Sequence, residues 1–312
     1  MKKIFTCMLL CMVLLFCLSC EKNPPATGAK KKLQVVVSLF PLYDFTRAIG
    51  GDKVDVTLLL PPGMEAHSFE PKPNDIVRAN KSDLFIYTNR YMEPWAVSIA
   101  NGLDPRKTLV VDASQGVSFL RAGQEDEDHH EGSSGEGMDP HIWLDFGNAQ
   151  IMVDNILAAL AAKDPEDGQY FTANAENYKT KLRELDEQYR AGLSKCAKHI
   201  FLHGGHYAFG YLAHRYGLTY ESAYAVSANA EPSPATIAQL IRQIRQNGLH
   251  YIYTEELVEP RIADTISRET GAKVIKLHGA HNISKSDLEA GATFLSLMEQ
   301  NLKNLRIGLQ CK

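Results

Sequence analysis

The sequence has few tryptophans, no excess of basic residues and no internal repeat. It contains two Trp among 312 residues, and 33 basic side chains stand against 37 acidic ones, for a net charge of −4. Without a basic patch interleaved with aromatics, this charge argues against nucleic acid as a partner. Hydrophobic residues at 45% and charged residues at 22% are typical of a soluble globular protein. The length allows two domains of ordinary size.

The N-terminus has the pattern of an export signal. Two lysines precede an apolar run over residues 4–18, which is short for a membrane span. A small residue before Cys20 resembles the bacterial lipobox, although Cys17 stands where leucine is usual. The pattern predicts a signal peptide at residues 1–19. A lipidated cysteine, Cys20, and a tether are predicted at residues 20–32. An uncleaved anchor and plain secretion are the alternatives.

Cysteine is scarce after this leader, because only Cys196 and Cys311 follow Cys20. An even pair in an oxidising compartment predicts a disulfide. The bond would close a loop of about 115 residues, for which the chain-entropy model gives roughly 4 to 5 kcal/mol. Two buried free thiols are the alternative.

Short strand-like runs alternate with helical ones in both halves of the chain. The strand-like segments are 33–39, 54–60, 84–88, 108–111, 199–202, 218–225, 251–254 and 274–277. Strands that alternate with helices of about ten residues indicate parallel βαβ units. We therefore predict an α/β fold with an N-terminal lobe at 33–147 and a C-terminal lobe at 198–312. Each lobe would hold a small, mostly parallel sheet flanked by helices.

Linker helices are predicted between the lobes, at 148–197. Apolar residues recur there every three or four positions, which predicts a helix over 165–193 with one buried stripe. Such a helix would be roughly 40 Å long and could lie along both lobes. The alternative is a peripheral helix of one larger domain. A single long terminal helix is predicted over 286–309.

The acidic stretch over 122–137 breaks the alternation. It combines consecutive acids and two histidines with Gly and Ser, AGQEDEDHHEGSSGEG. This composition cannot bury a core and predicts a mobile loop. Its histidines either capture metal transiently or have no role.

Four histidines follow strands or lie at a lobe boundary: His67, His141, His206 and His278. Ligands of open α/β sheets bind outside the carboxyl ends of the strands, so each lobe would bring two imidazoles to a shared cleft. His141 lies in MDPHIWLD, between Asp139 and Asp145. Carboxylates commonly fix the ring of a metal-binding histidine, and we predict this role for both.

The predicted ligand set favours zinc. Four neutral imidazoles at about 2.0 to 2.1 Å suit tetrahedral Zn²⁺, and nitrogen donors favour zinc over Mn²⁺, the alternative metal. His203 and His281 are the second choices. His203 lies within a strand and is more typical of a buried, hydrogen-bonded residue, whereas His281 could support or replace His278.

Four motifs carry a resemblance to a known family: PPGMEAHSFEPKPND, MDPHIWLD, GHYAFGYLAHRYGL and YTEELVEPRIADTISRETGAKV. They resemble the ZnuA/TroA-like metal-binding lipoproteins of bacterial ABC importers, over nearly all of residues 33–312. The resemblance implies two four-stranded lobes joined by a backbone helix, with metal in the interlobe cleft. It matches His67, His141 and His206 to three ligands of that family.

The fourth ligand departs from the family pattern. Many members have aspartate after the last strand, where this chain has His278 and His281 in HGAH. Either a fourth imidazole replaces the carboxylate or water completes the site. Manganese members often carry glutamate at the position of His206, so the resemblance implies the zinc type.

These features predict an exported solute-binding lipoprotein, at the periplasmic face of the inner membrane or at the cell surface. It would be a monomer, tethered by lipid, that captures Zn²⁺ and delivers it to the membrane permease of an ABC importer. A manganese or iron importer and a metal-dependent adhesin are alternatives. A zinc hydrolase is the remote one, because HExxH is absent and Glu65 is the only base candidate. We expect no enzymatic activity.

Overall fold

The computed structural model describes residues 30–122, 137–226, 232–256 and 260–312. The predicted signal peptide, Cys20 and most of the tether lie outside the described residues, as does the middle of the acidic loop. Residues from Lys32 onward form one unit. Within the described ranges, no helix has both the length and the apolar character that a membrane crossing requires.

The N-terminal lobe contains a parallel four-stranded sheet in the order β2-β1-β3-β4. Its strands are β1 (Leu33–Val37), β2 (Val54–Leu58), β3 (Leu84–Tyr87) and β4 (Leu109–Asp112). Its helices are α1 (Phe40–Gly50), α2 (Pro73–Lys81) and α3 (Pro94–Asn101). The central strands β1 and β3 are mostly buried, as expected for a parallel sheet covered by helices on both faces.

The C-terminal lobe repeats this topology with the order β6-β5-β7-β8, again all parallel. Its strands are β5 (Ile200–His203), β6 (Thr219–Ser222), β7 (Tyr251–Thr254) and β8 (Lys273–Lys276). Its helices are α6 (Gly210–Tyr216), α7 (Pro234–Asn247), α8 (Arg261–Thr270), α9 (Lys285–Glu289) and α10 (Phe294–Gly308). The predicted fold of two α/β lobes is confirmed, and both sheets are wholly rather than mostly parallel.

Two helices connect the lobes, α4 (Phe146–Lys163) and α5 (Gly168–Leu193), which are separated by a 3₁₀ turn at Pro165–Asp167. The predicted apolar stripe of α5 is buried along its whole length, from Phe171 to Tyr189. Tyr178 donates a hydrogen bond to Asp44 of α1 at 2.8 Å, and Tyr189 donates to the Met298 carbonyl of α10 at 2.6 Å. The helix therefore packs against both lobes.

The main hydrophobic core is shared between the lobes. It runs from β1 and α1 through α4 and α5 to α10, and it includes Trp143, Phe146 and Phe294. Smaller clusters lie on the outer side of each sheet. A shared core of this size restricts how far one lobe can move against the other.

The predicted single terminal helix is wrong, because the chain breaks between α9 and α10. Gly291 has a φ of 77°, which belongs to the left-handed region and ends a helix. Thr293 then caps α10, since its side chain accepts a hydrogen bond from the Ser296 N–H at 3.1 Å. The sequence of α10 is helical on its own, but Leu288 and Leu295, which are seven positions apart, continue the helical spacing across the interruption and concealed it.

A disulfide joins Cys196, just before β5, to Cys311 at the end of the chain. The two residues also form an isolated antiparallel bridge. The bond brackets the C-terminal lobe, because all four of its strands lie between the two cysteines.

Candidate metal centre

Three of the predicted ligands come together in the cleft between the lobes. His67 lies in the loop after β2, His141 precedes the 3₁₀ turn Ile142–Leu144, and His206 follows β5 by three residues. One ligand atom from each lies within 4.8 Å of the other two. The loops at the carboxyl ends of the strands therefore converge as the sheet topology requires.

His141 and His206 face each other, with their Nε2 atoms 3.3 Å apart. Tetrahedral zinc with nitrogen ligands at about 2.0 to 2.1 Å separates two ligand atoms by about 3.3 Å. The spacing of these two atoms therefore already matches that of two ligands on one ion.

Each of these two imidazoles is held by a carboxylate on its other nitrogen. Asp139 accepts from the Nδ1 of His141 at 2.8 Å and from its backbone N–H at 3.0 Å. Glu255 pairs with the Nδ1 of His206 and accepts from its backbone N–H at 3.2 Å. Both carboxylates favour the tautomer with the proton on Nδ1, so both Nε2 atoms present lone pairs to the cleft.

Glycine is required where Glu255 reaches His206. A Cβ atom on Gly205 would overlap the carboxylate of Glu255 and the ring of His203. The HGGH sequence therefore leaves room for this contact directly after β5.

His67 completes the group of three. Its ring centroid lies 5.5 Å from that of His141 and 5.7 Å from that of His206. Its backbone N–H donates to Glu65 at 2.9 Å. The Nε2 of His67 is buried and has no hydrogen-bond partner among the described residues. A buried imidazole nitrogen without a partner is costly unless an ion or a water satisfies it.

The fourth predicted ligand, His278, does not join this group. Its Nδ1 accepts from the Ala280 N–H at 2.9 Å and lies 3.1 Å from Glu256 Oε1. Its backbone N–H and carbonyl are both bonded to the amide of Asn301. These contacts hold His278 within the C-terminal lobe, although its Nε2 is buried and has no hydrogen-bond partner among the described residues. The assignment of His278 as the fourth ligand stays a prediction.

His281, our second choice for the fourth ligand, lies beside two members of the group. Its ring centroid lies 5.5 Å from that of His206 and 6.5 Å from that of His141. Its Nδ1 is buried and has no hydrogen-bond partner within the described ranges. The chain turns at Ala280, whose φ is 59°, and this turn separates the directions of the two histidines.

Two other predicted site residues have different contacts. His203 ends β5, bonds the His206 carbonyl through Nδ1 at 3.1 Å and packs its ring on Phe209. Asp145, predicted to support His141, instead caps α4 by accepting from the Gly147 and Asn148 N–H groups. It also pairs with Arg215 at 2.7 Å, because the start of α4 places its side chain toward α6.

Burial favours the neutral form of two of the imidazoles. Burial lowers the pKa of His67 to about 4, and the neighbouring His206 adds to the effect. Burial also lowers the pKa of His141 far below its usual range. Neutral imidazole is the form that binds a metal. These two ligands therefore need no deprotonation at neutral pH.

His206 behaves differently, because its carboxylate partner dominates. Burial would lower the pKa of His206, but Glu255 outweighs burial and raises it. In turn, burial would raise the pKa of Glu255, but His206 holds it at about 2. Burial raises the pKa of Asp139 to about 7, so its ionised form is most stable when a cation occupies the nearby cleft.

Glu255 is the residue that the sequence analysis missed. It follows β7 in YTEELVEP, a segment that we used only for its resemblance to a family. Its place directly after a strand, on the edge where the histidines lie, was the available signal.

Comparison with known proteins decides the family. The family model described as "ZnuA: Zinc-uptake complex component A periplasmic" matches residues 35–308. The chain belongs to the ZnuA family. The resemblance predicted from the motifs is thereby confirmed, and the match is to a component of zinc-uptake complexes rather than to an enzyme.

Three relatives illustrate the similarity. The "High-affinity zinc uptake system protein ZnuA" of Bacillus subtilis is 36% identical over 284 residues, 90% of this chain and 89% of that protein. The "Zinc-binding lipoprotein AdcA" of Streptococcus pneumoniae is 36% identical over 98% of this chain, which spans only 61% of AdcA. The solved Zn(II)-bound ZnuA-like domain of AdcA is 34% identical, with a TM-score of 0.76 over 89% of this chain and 99% of that one.

A second solved structure is that of the third relative, the laminin-binding protein Lmb of Streptococcus agalactiae, described as a bifunctional protein with adhesin and metal transporting activity. It is 31% identical, with a TM-score of 0.78 over 89% of this chain and 100% of Lmb. The two solved structures therefore share the fold of this chain, and all three relatives are at least 31% identical to it.

The charge relation between Glu255 and His206 can be tested by Glu255→Gln. Without the carboxylate, burial dominates and the pKa of His206 should fall below 6.5 in the metal-free protein. Because a raised folded pKa adds stability that is lost as pH rises through it, the variant should also lose stability below pH 6.5. The imidazole resonances can be titrated by NMR.

Glu221→Gln is the matched control, because Glu221 is bonded by Gln239 and Gln243 rather than by a histidine. It should leave the titration of His206 unchanged. An unchanged pKa of His206 in Glu255→Gln would contradict the assigned pairing.

Proposed function

We propose that this chain captures Zn²⁺ outside the cytoplasmic membrane and delivers it to the permease of an ABC importer. The observation that carries the proposal is the group formed by His67, His141 and His206, whose ligand atoms lie within 4.8 Å of one another. The names of the relatives, a zinc uptake protein and a zinc-binding lipoprotein, support zinc as the cargo.

The proposed ligand set is His67, His141, His206 and His281. Nitrogen donors alone favour zinc over manganese, which prefers carboxylate oxygen. Asp139 and Glu255 would hold two of the imidazoles, raise their basicity and fix their tautomers. Their negative charge would also compensate for the charge of the ion in a buried site.

Both lobes contribute to the proposed site. His67 and His141 come from the N-terminal lobe, and His206 and His281 come from the C-terminal lobe. A bound ion would draw the two lobes together, but the packing of α5 against both of them keeps the movement small. Release would then require the membrane partner to distort the site.

The cellular setting follows from the predicted leader. A lipid on Cys20 and the tether up to residue 32 would hold a monomer at the outer face of the membrane that carries the permease. The description of the family as periplasmic and the name of AdcA as a lipoprotein support this setting.

The alternatives receive less support. A manganese or iron importer is not favoured, because the relatives are named for zinc. A hydrolase is not favoured either, since Glu65, the base candidate named from the sequence, is bonded to the backbone of His67. The adhesin activity named for Lmb is a property of that protein, and we do not extend it to this chain.

A metal competition titration tests the proposed cargo. The chelator-stripped chain from residue 21 onward should bind one Zn²⁺ tightly, and Mn²⁺ should not displace it, because all four donors are imidazoles. Isothermal titration calorimetry with a competing chelator gives the affinity and the stoichiometry. Preference for Mn²⁺ would require an oxygen ligand and would overturn the zinc assignment.

The fourth ligand is tested by comparing His281→Ala with His278→Ala. Removing His281 should weaken zinc binding by roughly 10- to 100-fold or more, the range found even for supporting residues of metal sites. His278→Ala is the matched control on the same loop and should change the affinity less than threefold. The reverse order would restore His278 as the ligand.

A further inference from the structure

The loop after β8 makes several hydrogen bonds to the N-terminal lobe. We define residues 279–283 as the strap. The Gly279 carbonyl accepts from Trp143 Nε1 at 2.8 Å, and the Ile283 carbonyl accepts from the Gly63 N–H at 2.9 Å. The strap is buried along its length, although it belongs to the C-terminal lobe.

The side chain of Asn282 makes three hydrogen bonds, two of them to the N-terminal lobe. Its side-chain Nδ2 donates to the Pro61 carbonyl at 2.9 Å and to the Met64 carbonyl at 2.6 Å. Its Oδ1 accepts from the Ile283 N–H at 2.8 Å. The amide is fully buried and uses both donors and its acceptor, so no other side chain of similar size can replace it.

The strap needs stabilising contacts, because its backbone contains an unfavourable conformation. Ala280 has a φ of 59°, which non-glycine residues rarely adopt and which persists only where the surroundings enforce it. The turn at Ala280 is what directs His281 toward His206. The conformation of this turn therefore depends on contacts made by the residues before and after Ala280, and Asn282 is one of the residues after it.

The loop that receives Asn282 has independent support. It carries His67, whose backbone N–H is bonded to Glu65. The carbonyl of Ala66 accepts from Trp95 Nε1 at 3.3 Å. This loop can thus act as the fixed partner, while the strap is the part that needs positioning.

We propose that Asn282 is a positioning residue that fixes His281 against the loop carrying His67 and thereby slows the loss of the bound ion. The proposal rests on the proposed function, since it assigns His281 as a ligand. It predicts that Asn282 acts on metal retention through His281 and not through the general stability of the fold.

The protein contains its own reporter for this test. Its two tryptophans, Trp95 and Trp143, donate hydrogen bonds to Ala66 in the His67 loop and to Gly279 in the strap. Stopped-flow fluorescence after mixing the zinc-loaded protein with excess chelator should therefore follow release. Thermal unfolding of the metal-free protein is the second readout.

Asn282→Ala should speed zinc release by about 10-fold or more, as expected for the loss of a supporting contact. In a His281→Ala background the same change should add less than about twofold, because the ligand to be positioned is gone. Asn282→Ser, which keeps one donor, should fall between wild type and Asn282→Ala. Asn155→Ala is the control, since this amide also donates to two carbonyls, those of Ala113 and Gln115, but touches no strap residue.

The outcomes separate the two proposals. Absence of zinc binding in the wild-type chain would overturn the proposed function. Zinc binding with wild-type release in Asn282→Ala would overturn the positioning role alone. Equal acceleration with and without His281 would also overturn it, as would loss of the metal-free fold in both the Ala and Ser variants.

Discussion

The site depends on two imidazole nitrogens whose lone pairs face each other. The Nε2 atoms of His141 and His206 are 3.3 Å apart, and a carboxylate fixes the opposite nitrogen of each ring. Two lone pairs at this distance repel unless a cation lies between them. In the proposed function a zinc ion lies between them and accepts both lone pairs. The other residues of the cleft keep these two nitrogens facing each other and shielded from solvent.

The duplicated sheet explains how two distant parts of the chain reach one point. Both sheets have the same strand order, so loops from the carboxyl ends of β2, β5 and β8 meet in one cleft. The helix α5 and the shared core keep the two lobes in a fixed arrangement. Arg215 adds a bond at the base of the cleft, because it pairs with Asp145 of the N-terminal lobe and with Asp186 of α5.

The sequence was sufficient for the fold, and three of the ligands it predicted, His67, His141 and His206, lie in one group. Alternating patterns located every strand, because buried parallel strands and amphipathic helices have different periods. It could not choose between His278 and His281, since the choice depends on the left-handed turn at Ala280. The position of Glu255 directly after β7 was a signal for the site, but it could not identify His206 as the partner, because the two residues are 49 positions apart.

The role of Asp145 shows the same limit. Spacing alone made Asp139 and Asp145 equivalent supports for His141, but only Asp139 is bonded to it. The start of α4 at Phe146 turns Asp145 into a helix cap. A carboxylate just before a helix is more often a cap than a partner of a nearby ring, and the apolar run after Asp145 was the available signal.

The central claim concerns the coordination sphere, and X-ray absorption at the zinc K-edge tests it most directly. The loaded protein should show four imidazole nitrogens at about 2.0 to 2.1 Å, with the multiple scattering that imidazole rings produce. His281→Ala should reduce the imidazole count by one, to three. A wild-type spectrum with three or fewer imidazoles, or an unchanged imidazole count in His281→Ala, would contradict the account.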